Sequence, residues 1–443
     1  MKDDSNYLKS VRAQYEQLPY PRRDPEHEKK RLVSTWGDRL DYLNHFGFSG
    51  TMPLAGFRVL DAGAGSGDAT IFLAEQLRNF GGSVVHLDVS EASIAVAKER
   101  ARIRGLENID FVHASLLDLP ALKLGLFDYV TATGVLHHLD DPKAGLDALN
   151  GCLKDDGVLQ IMVYARYGRA LVYQMQALMR RFNAGVDPDD IDAQLAACKE
   201  MMAALKGRGW YEALLNDFLD VKNMGDVGVF DLFLHSKDRA YSIPELYDFI
   251  ESSALVLHHY VPSPHRLAPA ALPDSPVKAR LLALDRREQQ TLIELMSGKV
   301  KMHVCYATRR RRAQPSPRDE DMIPSYTTAV SGIAVEVGKA LADPALAQLR
   351  INVRGEGITI PLGGENRALL AEIDGERTIG GILDRAGATI RPKGASRLAH
   401  ARAFEALFER FGEKEWLLLR SRSLPGFAPK DKLQRRVSDL YSS

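Results

Sequence analysis

The run Val59-Leu60-Asp61-Ala62-Gly63-Ala64-Gly65-Ser66-Gly67 reads as a short apolar strand that ends in a carboxylate and passes into a glycine loop. Glycines between a strand and a helix let backbone N–H groups and the helix N-terminus approach a ligand that any Cβ would obstruct. The spacing separates two ligand classes. A G-x-G-x-x-G loop, which cradles a pyrophosphate, would place its third glycine at position 68, where this sequence has Asp68 with Gly67 one residue early. Asp61 carries the same message, because a carboxylate repels a pyrophosphate and attracts a cationic amino acid. Asp88, a little over twenty residues beyond Gly67, closes the next strand where an acidic side chain can accept from both hydroxyls of a ribose.

Outward from this loop, short apolar runs alternate with amphipathic helices, the pattern of a parallel sheet covered on both faces. Strands are expected at Arg58–Asp61, Ser83–Asp88, Ile109–His113, Tyr129–Thr133 and Val158–Tyr164. Between them, Ile71, Ala74, Leu77 and Phe80 recur at helical spacing before Gly81-Gly82, Ser90 can cap a helix that Gly105 ends, and Leu146, Leu149 and Leu153 share a face. The alternation stops at about Tyr167–Ala240, a helical insertion rich in alanine and methionine whose Met175, Met179, Met201 and Met202 read as its own core. It resumes with a helix at Ile243–Ser252, a strand at Ala254–Val261, helical Val277–Met296 and a last strand at Lys301–Arg309. The expected class is α/β, a Rossmann-like, doubly wound sheet of seven strands with a helical insertion.

A chain of 443 residues is long for one core. Residues 1–50 form a helical arm broken by Pro19, Pro21 and Pro25, residues 51–312 the sheet domain with the insertion at about 167–240, and the charged, proline-containing 313–325 a linker. Residues 326–443 have another rhythm: a short strand near Ile358–Ile360, helices at Asn366–Glu372 and Ile379–Arg385, a longer helix at Ser396–Phe411, and a strand at Trp416–Leu419. That order suggests a small α+β winged-helix-like domain. Lysine plus arginine equals aspartate plus glutamate, 58 of each, so no net field draws the chain to nucleic acid or an anionic membrane. Cys152, Cys198 and Cys305 lie far apart, which disfavours disulfides or a zinc cluster and fits a reducing cytoplasm. The polar start Met1-Lys2-Asp3-Asp4-Ser5 and the lack of long apolar stretches point the same way, to a cytoplasmic protein without a membrane segment.

The stretch Phe57–Tyr164 resembles the class I S-adenosylmethionine-dependent methyltransferases, those with a methyltransferase type 11/12-like core. In that family Leu60 to Gly67 would be the first motif and His86-Leu87-Asp88-Val89-Ser90 the ribose-binding strand end. Phe111 to Pro120, with Ser115 and Leu116, matches the adenine-contacting motif, and Phe127-Asp128-Tyr129-Val130 through Thr133 to Leu139 the fourth-strand motif. The resemblance implies S-adenosyl-L-methionine as cofactor, held by Asp61, Gly63, Gly65, Gly67, Asp88, Ser115, Leu116 and Thr133, and no metal. Many relatives carry an acidic residue where Ser115 stands, which leaves the adenine amino group to the Ser115 hydroxyl, a backbone carbonyl or Asp118.

The expected reaction is in-line methyl transfer to an N, O or C acceptor on a small molecule or polypeptide, where positioning and desolvation dominate and a base serves only a protonated acceptor. Candidates for that role are His137 and His138 after the fourth strand, Tyr167 and His235 on the insertion, and Tyr20 in the run Tyr15 to Pro21, whose aromatic residues could close over the cofactor. Each has a plainer reading: a loop cap for the histidines, packing for the Tyr-Pro pairs, and near His235 a simple Asp238–Arg239 ion pair with Ser242 capping the helix before Pro244. Arg166 or Arg169 could hold an acceptor carboxylate or phosphate, unless solvated. Asp374 to Leu383 resembles, over a short stretch, small winged-helix peptide-binding modules such as the pyrroloquinoline-quinone peptide chaperone. Arg391, Lys393, Arg397 and Arg402 cluster near its long helix, whose Leu398, Ala401, Phe404, Phe408 and Phe411 form one apolar face. Interspersed acidic residues favour docking of a peptide or the partner domain over nucleic acid. Three other readings stay open: a non-catalytic regulatory binder of the same nucleoside, a nucleic-acid methyltransferase docking through the C-terminal module, and a nicotinamide oxidoreductase, which the glycine spacing disfavours. An oligomer is also left open.

Overall fold

The computed structural model describes residues 16–17, 19–187, 190–218, 221, 225–235, 237–261, 272–328, 332–353, 356–363, 365–389, 396–427 and 434–436. Tyr15, Ser236, Arg391, Lys393 and the Met1–Ser5 start lie outside them. The chain divides into two compact units, one of Met1–Gly37, Ala55–Arg311 and Leu433–Ser443, the other of Asp38–Leu54 and Arg312–Lys432.

The first unit is built on seven strands: β1 (Arg58–Ala62), β2 (Ser83–Asp88), β3 (Ile109–His113), β4 (Phe127–Thr133), β5 (Leu153–Tyr164), β6 (Val256–Val261) and β7 (Met302–Thr308). Their order is β3-β2-β1-β4-β5-β7-β6. β1 to β5 run parallel and β7 runs antiparallel to both β5 and β6. The central strands are apolar because both faces are covered; Val59, Leu60, Val130, Leu159 and Ile161 are fully buried. α1 (Asp68–Leu77) follows the glycine loop, and α2 (Glu91–Arg104) starts on Ser90, whose hydroxyl accepts the Ser93 N–H, and stops at Gly105 in the left-handed region. α3 (Pro142–Gly151) is capped by Asp141. The strand order reverses beside β1, so the carboxyl ends of β1, β4 and β5 open onto one crevice, where such sheets hold ligands.

The insertion is a helical layer of α4 (Ala170–Phe182), α5 (Ile191–Ala204) and α6 (Gly209–Asp217). It has its own core, in which Val172, Met175, Met179, Leu195, Cys198 and Leu214 are buried and Met201 and Met202 pack from the side. α7 (Ile243–Glu251), α8 (Pro276–Leu282) and α9 (Arg286–Ser297) complete the cover of the sheet. Among the described residues no helix is long and apolar enough to cross a membrane.

The second unit contains β8 (Met322–Tyr326), α10 (Ile333–Ala342), a hairpin of β9 (Gln348–Val353) and β10 (Glu356–Pro361), three helices α11 (Glu365–Glu372), α12 (Ile379–Thr389) and α13 (Arg397–Gly412), and β11 (Leu417–Ser421). Two expectations need correction. Met322–Tyr326 is a strand rather than linker: it pairs antiparallel with β11, and a two-stranded sheet tolerates Pro324 because both its strands are edges. Asp38–Leu54 belongs to this unit, rather than residues 38–50 to an arm and 51–54 to the sheet domain. The N–H groups of β11 need partners, and they find the His45 Nδ1 (2.8 Å, Leu419 N) and the Gly50 carbonyl (2.7 Å, Ser421 N). The hairpin precedes the three helices, and among the described residues the long helix is followed by a strand that returns to β8.

Candidate functional site

The glycine loop is tight for reasons that no larger residue could meet. Gly63, Gly65 and Gly67 all have positive φ, and a Cβ on Gly63 would lie 2.4 Å from Val135 Cγ2. The loop after β4 therefore lies directly against the loop after β1. Gly65 N–H donates to Asp88 Oδ2 at 2.7 Å, and Ser90 N–H to Asp88 Oδ1 at 2.8 Å, so the carboxylate at the end of β2 organises the cradle. Burial raises the affinity of Asp88 for a proton, against these N–H donors. Asp61 Oδ2 accepts from Thr70 Oγ1 (2.6 Å), which in turn lies 2.9 Å from His86 Nδ1. Burial, with Arg100 and Lys98, pushes His86 down to about 3, so it is neutral and its Nδ1–H donates to Thr70.

The arm seals the outer side of this loop. Ser66 N–H donates to the Tyr20 carbonyl (3.2 Å) and Ser66 Oγ to the Pro21 carbonyl (2.7 Å). Arg23 forks onto Asp68, the first residue of α1, with contacts of 2.9 and 2.7 Å. Asp68 also meets the buried Arg100 at 2.8 Å, and Arg100 pairs with Glu28 at 2.8 Å, while Arg104 bonds the other Glu28 oxygen. Burial alone would raise the Asp68 carboxyl, but Arg100 and Arg23 outweigh it and hold it at about 2. Glu16 reaches further, accepting from the N–H groups of Glu91 and Ala92 at the start of α2.

On the other side of the β4 loop lies a buried polar cluster. His137 and Tyr164 rings stand 4.0 Å apart, His137 and His138 4.1 Å, and His138 stacks on His235 at 3.8 Å. Arg169 places its Cζ 3.5 Å from the centre of the Tyr164 ring. Asp238 accepts from Gln176 Nε2 (2.9 Å) and Tyr173 hydroxyl (3.2 Å), with Arg169 Nη2 at 3.5 Å. His138 Nδ1–H donates to the Lys237 carbonyl (2.7 Å), and His235 Nδ1 accepts from Lys237 N–H (3.2 Å). Burial holds all three imidazoles below their ordinary range, His137 and His235 far below; for His137 the neighbouring His138, Arg169 and His235 add to it. His137 is 1% exposed, and neither ring nitrogen has a hydrogen-bond partner.

Not every residue singled out in the sequence joins this crevice. Tyr167, 38% exposed, begins the turn that carries the buried Arg169, and Arg166 pairs with Glu245 on the surface at 2.6 Å. Asp238 pairs with Arg169 rather than Arg239, which lies over the Tyr241 ring instead; Ser242 and Glu245 do form the expected capping box. Ser115 and Asp118 cap each other's backbone N–H groups around Leu116, and Thr133 receives Gln160 Nε2 at 3.3 Å. Tyr173, Gln176, Glu28 and Arg100 have no motif to betray them. Among the described residues no group of three or more His, Cys, Asp or Glu side chains is placed to hold a metal ion.

Comparisons with known proteins agree with this geometry. A family model described as a methyltransferase domain matches residues 60–159, from β1 into β5. The uncharacterized protein syc1184_c of a Synechococcus species is 29% identical over 321 residues, which cover 71% of this chain and 75% of its own. The ubiquinone biosynthesis O-methyltransferase of Nitrosococcus oceani is 33% identical over 162 residues, 36% of this chain and 64% of that protein. The chain thus spans less than two thirds of that relative, and about half of its counterpart in Xanthomonas oryzae, at 53%. Among solved structures, PKMT2 from Rickettsia typhi in complex with AdoHcy superimposes with a TM-score of 0.62 at 16% identity, covering 88% of this chain and 76% of that one, a likeness of fold. The sheet order and the glycine crevice define a Rossmann-like core. Over residues 60–159 the chain carries a methyltransferase domain, the kind that uses S-adenosylmethionine. Its residues fit that cofactor: a glycine cradle in which a Cβ would collide, with the carboxylates of Asp61 and Asp88 near the carboxyl ends of β1 and β2.

Proposed function

We propose that this chain transfers a methyl group from S-adenosylmethionine to an oxygen or nitrogen nucleophile, on a small molecule or a polypeptide side chain, that enters beneath the helical insertion. Asp61, Gly63, Gly65, Gly67 and Asp88 hold the cofactor, with Ser115, Leu116 and Thr133 beside them. When bound, it supplies a methyl on a positively charged sulfur. His137 takes the acceptor's proton on a ring nitrogen, and Tyr164, His138 and His235 hold the imidazole in place. The observation that carries the reading is His137 itself. A buried, neutral imidazole with both nitrogens unpartnered costs stability, and it stands two residues past Val135, which touches the glycine loop. Its burial keeps it unprotonated at neutral pH and shuts water out of the crevice. The arm, latched through Arg23, Asp68, Arg100 and Glu28, closes the cofactor's side. The three unpaired, buried cysteines suit a cytoplasmic setting. Tritium-labelled S-adenosylmethionine added to purified protein and cell lysate should label one fraction, and His137→Ala should remove that label while cofactor affinity holds. Labelling unaffected by the substitution would refute the assignment.

A further inference from the structure

Besides His137, the acceptor crevice carries a second buried group with an unpartnered polar atom, the Nε–H of Arg169, and the two together bear on the acceptor. Arg169 is 5% exposed, and its Nε–H has no hydrogen-bond partner. A guanidinium offers five donors in a fixed fork, and a buried one is normally saturated by carboxylates or carbonyls. Asp238 does not saturate it. That carboxylate already accepts from Gln176 and Tyr173 at 2.9 and 3.2 Å, and it meets Arg169 only at 3.5 Å, the outer limit of a hydrogen bond. Tyr164 and Phe218 lie against the guanidinium, with its Cζ at 3.5 and 5.5 Å from their ring centres, and the Tyr173 hydroxyl bonds it, yet the Nε–H stays without a partner. The same Tyr164 ring contacts His137 at 4.0 Å, so the unused donor and the unused proton acceptor flank one aromatic side chain.

Resting on the transferase reading above, we infer that the acceptor is a small molecule carrying a carboxylate or phosphate close to its nucleophilic oxygen or nitrogen, the oxyanion held by Arg169 and the nucleophile turned toward His137. Enclosure favours a small molecule, since His137, Arg169 and His235 are all at least nine-tenths buried under the insertion. Charge balance favours an anion. Arg169 is one of the groups holding the basicity of His137 down, and an oxyanion on Arg169 cancels that field as the nucleophile arrives. Arg166, on the same turn, is excluded from this role by its surface pairing with Glu245.

The test uses the full-length protein, tritium-labelled S-adenosylmethionine and a small-molecule extract of cell lysate, with labelled products resolved on an anion exchanger at neutral pH. The expected product is retained by the exchanger. With the acceptor in that fraction, Arg169→Gln should raise KM about 10- to 100-fold, the loss of one charged hydrogen-bond partner, with a smaller change in kcat. Arg169→Lys should recover part of the loss, and calorimetric affinity for S-adenosylmethionine should stay unchanged in both variants, which also certifies their fold. Label in a neutral, cationic or polypeptide fraction overturns this inference alone, as does an unchanged KM in Arg169→Gln. No label in any fraction overturns the transferase reading and this inference with it.

Discussion

The two sides of the crevice are made in opposite ways. On the cofactor side, the groups that matter are mostly backbone: positive-φ glycines and N–H donors from a run of nine residues, joined by the carboxylates of Asp61 within it and Asp88 beyond it, and latched from outside by the ion network of the arm. On the acceptor side they are side chains gathered over long separations, Arg169 with Asp238 across 69 residues and His138 with Lys237 across 99. A backbone site is read from local spacing, while a side-chain site exists only once the insertion has folded.

The comparison can be broken most violently at Gly65. Its φ is +54°, and a Cβ there would stand 2.4 Å from the Tyr20 carbonyl, so Gly65→Arg should weaken S-adenosylmethionine binding at least about a hundredfold, or about 2.7 kcal/mol, by calorimetry. Retained affinity would mean that the cradle lies elsewhere. His137→Ala acts on the other side alone: kcat should fall about a hundredfold or more at unchanged cofactor affinity, the range for loss of a positioned proton acceptor. A matching fall in cofactor affinity would merge the two sides. Asp68→Asn leaves Arg23 and Arg100 facing an uncharged amide and should cost about 3 kcal/mol in a denaturant titration, as expected when one partner of a buried pair is removed. A loss below about 1 kcal/mol would show that the arm is only loosely tied.

The gentlest probe is pH. His86, His137, His138 and His235 are all held below 6.5 by burial, so below that value the unfolded chain binds more protons than the folded one. Stability should be complete above about pH 6.5 and decline as pH falls toward the folded values, about 3 for His86. A melting temperature unchanged between pH 7.5 and 5 would mean that these imidazoles are charged or exposed in solution.

This contrast also explains what the sequence made legible. The strands of the seven-stranded sheet, the helix cap at Ser90 and the glycine loop rest on periodicity and local hydrogen bonding, and they stand where the pattern places them. His137, His138 and His235 could be named because histidine at a strand's carboxyl edge is conspicuous, yet nothing local tells that they stack on each other. The affiliation of Asp38–Leu54 with the second unit was invisible because it depends on the backbone needs of β11, over 360 residues later. The ion network of Glu28, Arg100 and Arg104 left no trace either, since charged residues on a helix ordinarily read as a solvated face.

The most direct measurement of the whole account is amide hydrogen exchange with and without S-adenosylhomocysteine. A ligand cradled by the first loop and reaching toward the β4 loop should slow exchange at Asp61–Asp68, around Asp88, and at Gly134–His138 together. Protection that leaves Gly134–His138 untouched, or that falls outside these segments altogether, would contradict it.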